Sequence, residues 1–273
     1  MDIKDIIIST EKYNLHSHSQ FCDGRDSMED IAAAASREGM EYFAFTPHSP
    51  VPLKSPCNMS ASRMDEYLAE CGRLKDFYAG NMGVLVSQEI DYLGDSWGPH
   101  VDYFQKLPLD FRLGSVHFVP NQEGVLLDCD GRFERFAEYL KDGFSNDLRY
   151  VTEKYFEQVL KMLERGGFDL LGHFDKIAGN ASLADPEIES YGWYEALVDD
   201  VVSHASGAGV VVEINTKAFE DKGRFYPAER WWGKIIDAGL PVAVDSDVHY
   251  ASKVSSGRAE ALERLRKYVR KEP

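Results

Sequence analysis

Two rhythms of apolar and polar positions run along this chain. Short runs near 13–17 (YNLHS), 42–46 (YFAFT), 84–89 (VLVSQE), 110–116 (DFRLGSV), 169–173 (DLLGH), 210–214 (VVVEI) and 241–245 (PVAVD) are bounded by turn residues, as strands buried on both faces are. Between them lie stretches with helical spacing, at 27–39, 62–80, 151–167, 194–209, 227–239 and 256–271. The first of these places Ser27 as an N-cap, Asp30 three residues on, and Gly39 as a terminator. Strands alternating with helices predict a mainly parallel α/β sheet. Seven strands with long crossovers predict a closed or nearly closed barrel, with an open doubly wound sheet as the alternative. No GxGxxG or GxxxxGK[ST] follows any strand, so dinucleotide and P-loop chemistry lack their key feature.

Composition narrows the picture. With 273 residues, 44% of them hydrophobic, the chain fits one domain over 1–273. A formal charge of -16 repels phosphate backbones and anionic lipid, so neither nucleic acid nor membrane is an expected partner. Cys22, Cys57, Cys71 and Cys129 form no CxxC and read as reduced thiols. The opening MDIKDIIIST reads as neither a signal peptide nor a membrane span. Together these predict a cytoplasmic setting. The aromatic pair in RWWGK is expected in the core.

The histidines carry the chemistry. Of eight, six stand at or just beyond the C-terminal end of a predicted strand: His16, His18, His48, His117, His173 and His249. Glu89 and Asp247 stand at the same kind of position, and Asp23 lies in the loop after the first strand. In an α/β barrel all these ends open onto one face, where the active site is built. Residues i and i+2 of a strand share a side, so His16 and His18 can bind one cation together. Gly24 permits a tight turn beside Asp23. One histidine, or one HxH, is weak evidence, since a hydrogen-bonding role serves as well. Nine N and O donors on one edge are far stronger. Such a set without cysteine suits zinc, manganese or iron, and it exceeds the roughly four ligands of one tetrahedral ion. Two or three divalent metal ions are therefore expected, with a carboxylate bridging. Cys22 is expected to pack near the site without being a ligand.

The motifs HSHSQFCDG, TPHS, SQEID, GSVHF, GHFDKI, EINT and DSDVH, in this order over nearly the whole chain, resemble the PHP (polymerase and histidinol phosphatase) family, and its histidinol-phosphatase branch in particular. The resemblance implies a distorted seven-stranded (β/α)7 barrel, TIM-barrel-like, with a trinuclear metal site. It implies metal-dependent hydrolysis of L-histidinol phosphate to L-histidinol and phosphate, in histidine biosynthesis. His16, His18, Glu89 and Asp247 would hold one ion. Glu89 would bridge to a second, bound also by His117 and His173. Asp23, His48 and His249 would hold the third. The expected attack is by a metal-bridging hydroxide, with Asp247 and His249 as the catalytic residues among the ligands. Basic residues at the barrel mouth would bind phosphate; Lys217, Arg224 and Arg149 are the candidates. Asp91 and Tyr92 are candidates for reading the ammonium and imidazole of histidinol, although structural roles fit them equally. The alternatives are a related phosphoesterase acting on another phosphomonoester or a nucleotide, and a metal-binding protein without catalysis.

Overall fold

The computed structural model describes residues 2–270. Ten strands form in chain order: β1 (Tyr13–Asn14), β2 (Tyr42–Phe45), β3 (Gly83–Val86), β4 (Glu89–Asp91), β5 (Leu113–Ser115), β6 (Phe118–Pro120), β7 (Leu126–Asp128), β8 (Leu170–Leu171), β9 (Val211–Asn215) and β10 (Val242–Asp245). Three are hydrogen-bonded in the order β1-β2-β3 and five in the order β10-β9-β8-β5-β4, all parallel. The predicted third strand is thus two: its chain breaks at Ser87–Gln88, pairing with β2 before the break and with β5 after it. Counted as one, it makes seven barrel positions. The fold is a distorted seven-stranded (β/α)7 barrel.

Closure explains the distortion. Beyond β1 and β10, Ser17 pairs with Val248, and the His18 N–H donates to the Val248 carbonyl at 2.8 Å. Lower on the same seam, side chains replace the backbone ladder. The Leu15 N–H donates to the Asp245 carboxylate (2.6 Å), the Val244 N–H to the Tyr13 hydroxyl (3.1 Å), and the Ser246 N–H to Asn14 Oδ1 (3.0 Å). Buried N–H groups need acceptors, and these supply them. At the other seam His48 pairs with Glu89.

The barrel interior is layered by strand period. Leu15, Ala44, Leu85, Leu113, Leu170, Val211 and Ala243 form one buried apolar cluster with Ile3 and Ile6 of the helix Ile3–Ser9, which plugs the bottom. Two residues further along each chain, on the same side, stand Ser17, Thr46, Ser87, Ser115, Gly172, Glu213 and Asp245. Above this polar layer come the strand ends. The apolar filling therefore fixes the bottom of the barrel and leaves the top for chemistry.

Six helices form where spacing predicted them: Met28–Arg37, Met64–Phe77, Leu148–Arg165, Gly192–Ala208, Trp232–Asp237 and Arg258–Arg270. The last predicted position, Lys271, lies outside the described residues, as do the ends of the 1–273 domain. Ser27 Oγ accepts from the Asp30 N–H at 3.1 Å, the predicted cap. Trp231 and Trp232 are buried in the core, as expected of RWWGK. The plugging helix and the antiparallel hairpin β6–β7 are additions to the predicted elements. No helix among the described residues is long and apolar enough to cross a membrane.

Candidate metal centre

Six of the seven barrel positions, all but β9, deliver the nine sequence-derived ligand candidates to one place. Glu89, fully buried at the start of β4, stands at its centre. Its Oε2 lies 3.3 Å from His16 Nε2, 3.3 Å from His18 Nε2 and 2.9 Å from His48 Nδ1. Its Oε1 lies 2.9 Å from His173 Nε2 and 3.5 Å from His117 Nε2. One oxygen thus faces three imidazoles and the other faces two, the disposition of a bridging carboxylate. Asp247 Oδ1 adds a contact of 3.0 Å to His18 Nε2 and one of 3.7 Å to His16 Nε2. Asp23 Oδ1 lies 3.3 Å from His249 Nε2 and 3.8 Å from His48 Nε2. Several of these donors fall into overlapping groups compact enough for one ion each: His18, Asp23, His48 and His249; His16, His18 and Glu89; His48, Glu89 and His117; His16, His173 and Asp247.

Hydrogen bonding behind these ligands sets which ring nitrogen faces the centre. His16 Nδ1 donates to Glu213 Oε1 at 2.6 Å, and His117 Nδ1 to Asp91 Oδ1 at 2.7 Å. His249 Nδ1 donates to the Asp247 carbonyl at 2.9 Å. A carboxylate or carbonyl only accepts, so each ring keeps its proton on Nδ1 and turns the Nε2 lone pair inward. Carboxylate behind histidine is the usual support for a metal-binding imidazole. His18 has a softer backing, Cys22 Sγ at 3.3 Å, so Cys22 packs behind a ligand rather than among them.

A cation fits this donor set. Glu89 Oε2, His48 Nδ1, His173 Nδ1 and Asp23 Oδ1 are buried with no hydrogen-bond partner, although Glu89 Oε2 and His48 Nδ1 are only 2.9 Å apart. Buried polar atoms are costly when unpaired, and lone pairs that converge are paired by a cation. Two ligands also hold unusual backbone: φ is 47° at Asp247 and 20° at His173. Left-handed backbone at a residue with a Cβ costs about 1 kcal/mol, and such outliers gather at functional sites. Gly24 serves by its lack of a side chain. A Cβ there would sit 2.2 Å from the Ser19 nitrogen, so the Asp23 loop closes on the HxH segment only with glycine.

Electrostatics inside the cluster are strongly coupled. Burial pushes the His117 imidazolium down, but the charges of Asp91 and Glu89 outweigh it and hold its pKa up at about 10. His16 is likewise held well above its ordinary value, against burial, by Glu213, Asp247 and Glu89. Burial and its neighbours His249 and His48 push His18 well below. A divalent ion must displace the protons of the raised histidines, so zinc affinity should rise with pH from neutrality toward about 10. Calorimetric zinc titrations at pH 7, in buffers of different ionisation heat, should show net proton release. Heats that do not depend on the buffer would contradict this assignment.

Asp23, His48, Glu89, His117, His173 and Asp247 line a cavity of about 170 Å³. Its walls carry both signs: Lys176 and Lys217 on one side, Asp128 and Asp130 on the hairpin side. Lys217 Nζ reaches Asp247 Oδ1 at 3.3 Å and His249 Nε2 at 3.1 Å. Arg224 and Arg149, the other basic candidates, are not brought here. Arg224 is tied by two 2.9 Å bonds to Glu189, and exposed Arg149 pairs with Glu153 at 2.7 Å on a helix face. Asp91 holds His117, and Tyr92 is a core residue whose hydroxyl donates to Asp95 at 3.2 Å, so neither is free to read a substrate. Glu213 and Lys176 were not singled out from sequence. A carboxylate within the apolar run VVVEI, and a lysine directly after GHFD, were the available signals.

Fold and site together define a His/Asp/Glu cluster fit to hold several divalent ions at the mouth of a seven-stranded α/β barrel. The chain belongs to the PHP domain family, which matches residues 14–217. It is 28% identical over 249 residues to a Schizosaccharomyces pombe protein named "Probable histidinol-phosphatase", covering 86% of this chain and 79% of that one. Its fold is similar to that of HisK from Listeria monocytogenes (TM-score 0.80, 18% identity, 91% of this chain and 99% of that chain). It is also similar to histidinol phosphate phosphatase from Lactococcus lactis, crystallised with Zn, L-histidinol and phosphate (TM-score 0.70, 17% identity, 94% of each chain).

Proposed function

We propose that this chain is a metal-dependent phosphomonoesterase that hydrolyses L-histidinol phosphate to L-histidinol and phosphate. The observation that carries the reading is the Glu89-centred cluster, where five imidazoles surround one carboxylate at 2.9–3.5 Å. His16, His18, Glu89 and Asp247 would hold one ion, Glu89, His117 and His173 a second, and Asp23, His48 and His249 a third. Zinc, manganese or iron suits such N and O donors. Divalent ions bound there neutralise phosphoryl oxygens and make water acidic enough to attack near neutral pH.

The chain's own residues do the rest. Glu213, Asp91 and the Asp247 carbonyl orient the imidazoles. Asp247, which lines the cavity, and His249 beside it are the catalytic residues, with Lys217 against both to meet the phosphoryl group. Substrate choice is supported by two points. Relatives named for this reaction match along most of the chain. The cavity also pairs lysines with carboxylates, and histidinol phosphate carries a phosphate and an ammonium. With four unpaired cysteines and a charge of -16, the reading includes a cytoplasmic setting and no nucleic-acid partner. Phosphate release from L-histidinol phosphate by the metal-loaded protein tests it.

A further inference from the structure

Lys176 is out of keeping with its surroundings. It follows directly on the metal-site segment GHFD and is only 8% exposed. A buried ammonium is costly unless its N–H donors find acceptors. Among the described residues they find none within hydrogen-bonding distance. The nearest carboxylate oxygens, Asp130 Oδ2 and Asp247 Oδ2, are 3.8 and 3.9 Å from Nζ. They hold the charge between them without bonding it. Asp247 Oδ2 already accepts from Asn215 Nδ2 at 3.1 Å.

Everything else around Lys176 keeps it in place. Its Nζ lies 5.0 Å from the centre of the Tyr226 ring, a cation–π contact. The Tyr226 hydroxyl is seated against Gly179, where a Cβ would come within 2.3 Å of it. Asn180, with Gly179 on the helix Ala178–Ala184, donates to the Cys129 and Gly131 carbonyls at 3.0 and 2.9 Å and so fixes the chain on either side of Asp130. Lys176 lines both the metal-site cavity and an adjoining cavity of about 310 Å³ that Tyr226 and Lys217 also line. It stands at the junction of the two.

We propose that Lys176 is a catalytic residue that clamps a phosphoryl oxygen of the substrate. A phosphomonoester dianion presents three terminal oxygens, and a mostly buried ammonium next to the ligand candidates supplies charge-assisted donors to one of them. Asp130 and Tyr226 are positioning residues for this side chain. The assignment rests on the phosphomonoester reading of the site, though not on which monoester is the substrate.

The test compares wild type with Lys176→Met and Lys176→Arg, all metal-loaded. Bound metal, inorganic phosphate affinity by calorimetry, and turnover of L-histidinol phosphate and p-nitrophenyl phosphate are measured. Lys176→Met should keep its metal and bind phosphate about 30-fold more weakly, the size of one charge-assisted hydrogen bond. kcat/KM should fall by a similar factor on both esters, because the phosphoryl group is common to them. Lys176→Arg should recover part of the phosphate affinity. Phosphate affinity within twofold of wild type, or a loss that only follows loss of metal, overturns the proposal. If wild type does not turn over L-histidinol phosphate yet Lys176→Met loses phosphate affinity, the substrate reading falls and the clamp stands. If wild type turns it over and the variant binds phosphate normally, the reverse holds.

Discussion

Glu89→Gln should lower turnover about 1,000-fold or more and lower the bound metal by at least one ion per chain. The side chain is the hub of the cluster, with His16, His18 and His48 on Oε2 and His117 and His173 on Oε1. Glutamine keeps the shape but loses the charge and presents an amide N–H₂ where one oxygen stood. That group donates, so it can cap an inward Nε2 lone pair with a hydrogen bond where a cation would otherwise sit, and it has no lone pair left for an ion. Metal stabilisation of a phosphoryl transition state is worth several kcal/mol, and each 1.36 kcal/mol is tenfold in rate. Glu89 lies in a paired strand, so the barrel should persist by circular dichroism. Metal content from elemental analysis checks the cause. Full metal with turnover within tenfold of wild type would remove Glu89 from the centre of the account.

Glu213→Ala should weaken metal affinity or turnover by about 10- to 100-fold, the usual effect of removing a group behind a metal ligand. Glu213 lines neither cavity at the barrel mouth, yet it holds two ligand candidates at once. Oε1 accepts from His16 Nδ1 at 2.6 Å, and Oε2 accepts from the His173 backbone N–H at 2.8 Å. Alanine leaves both donors buried and unpaired, which costs about 1–3 kcal/mol of stability for each. Glu213→Gln should fall between alanine and wild type, because its single oxygen can accept only one of the two bonds. Thermal melts with zinc titrations separate the two effects. A variant that is destabilised but binds zinc with wild-type affinity would make Glu213 a packing residue only.

Much of the fold was legible because a barrel strand is buried on both faces and its sequence says so. The runs VVVEI and PVAVD became β9 and β10 close to their expected bounds. The runs YNLHS and DLLGH gave only two paired residues each, because their polar ends leave the ladder to carry His16, His18 and His173. VLVSQE split at Ser87–Gln88, where the chain changes partner; no local pattern encodes a change of neighbour. The opening helix was missed because its apolar stripe is a single short run, IKDIIIS, whose partners lie across the whole barrel.

The site followed the same division. His and Asp at strand ends were readable because topology alone brings such ends to one face. Which basic side chains face the cavity was not, because a long basic side chain in a loop can turn either way. Arg224 turned to Glu189 and Arg149 to Glu153, while Lys217 turned to the cavity. Which carboxylate backs which histidine depends on contacts between residues such as His16 and Glu213, almost 200 positions apart.

The central claim is metal-dependent hydrolysis of histidinol phosphate, and one measurement meets it directly. Phosphate release from L-histidinol phosphate is followed with the purified protein, chelated and then reloaded with zinc or manganese, beside a panel of amine-free phosphomonoesters. The account predicts no release after chelation, recovery on reloading, and much faster turnover of L-histidinol phosphate than of the panel. Turnover that survives complete removal of metal, or metal-loaded protein that ignores L-histidinol phosphate, would contradict it.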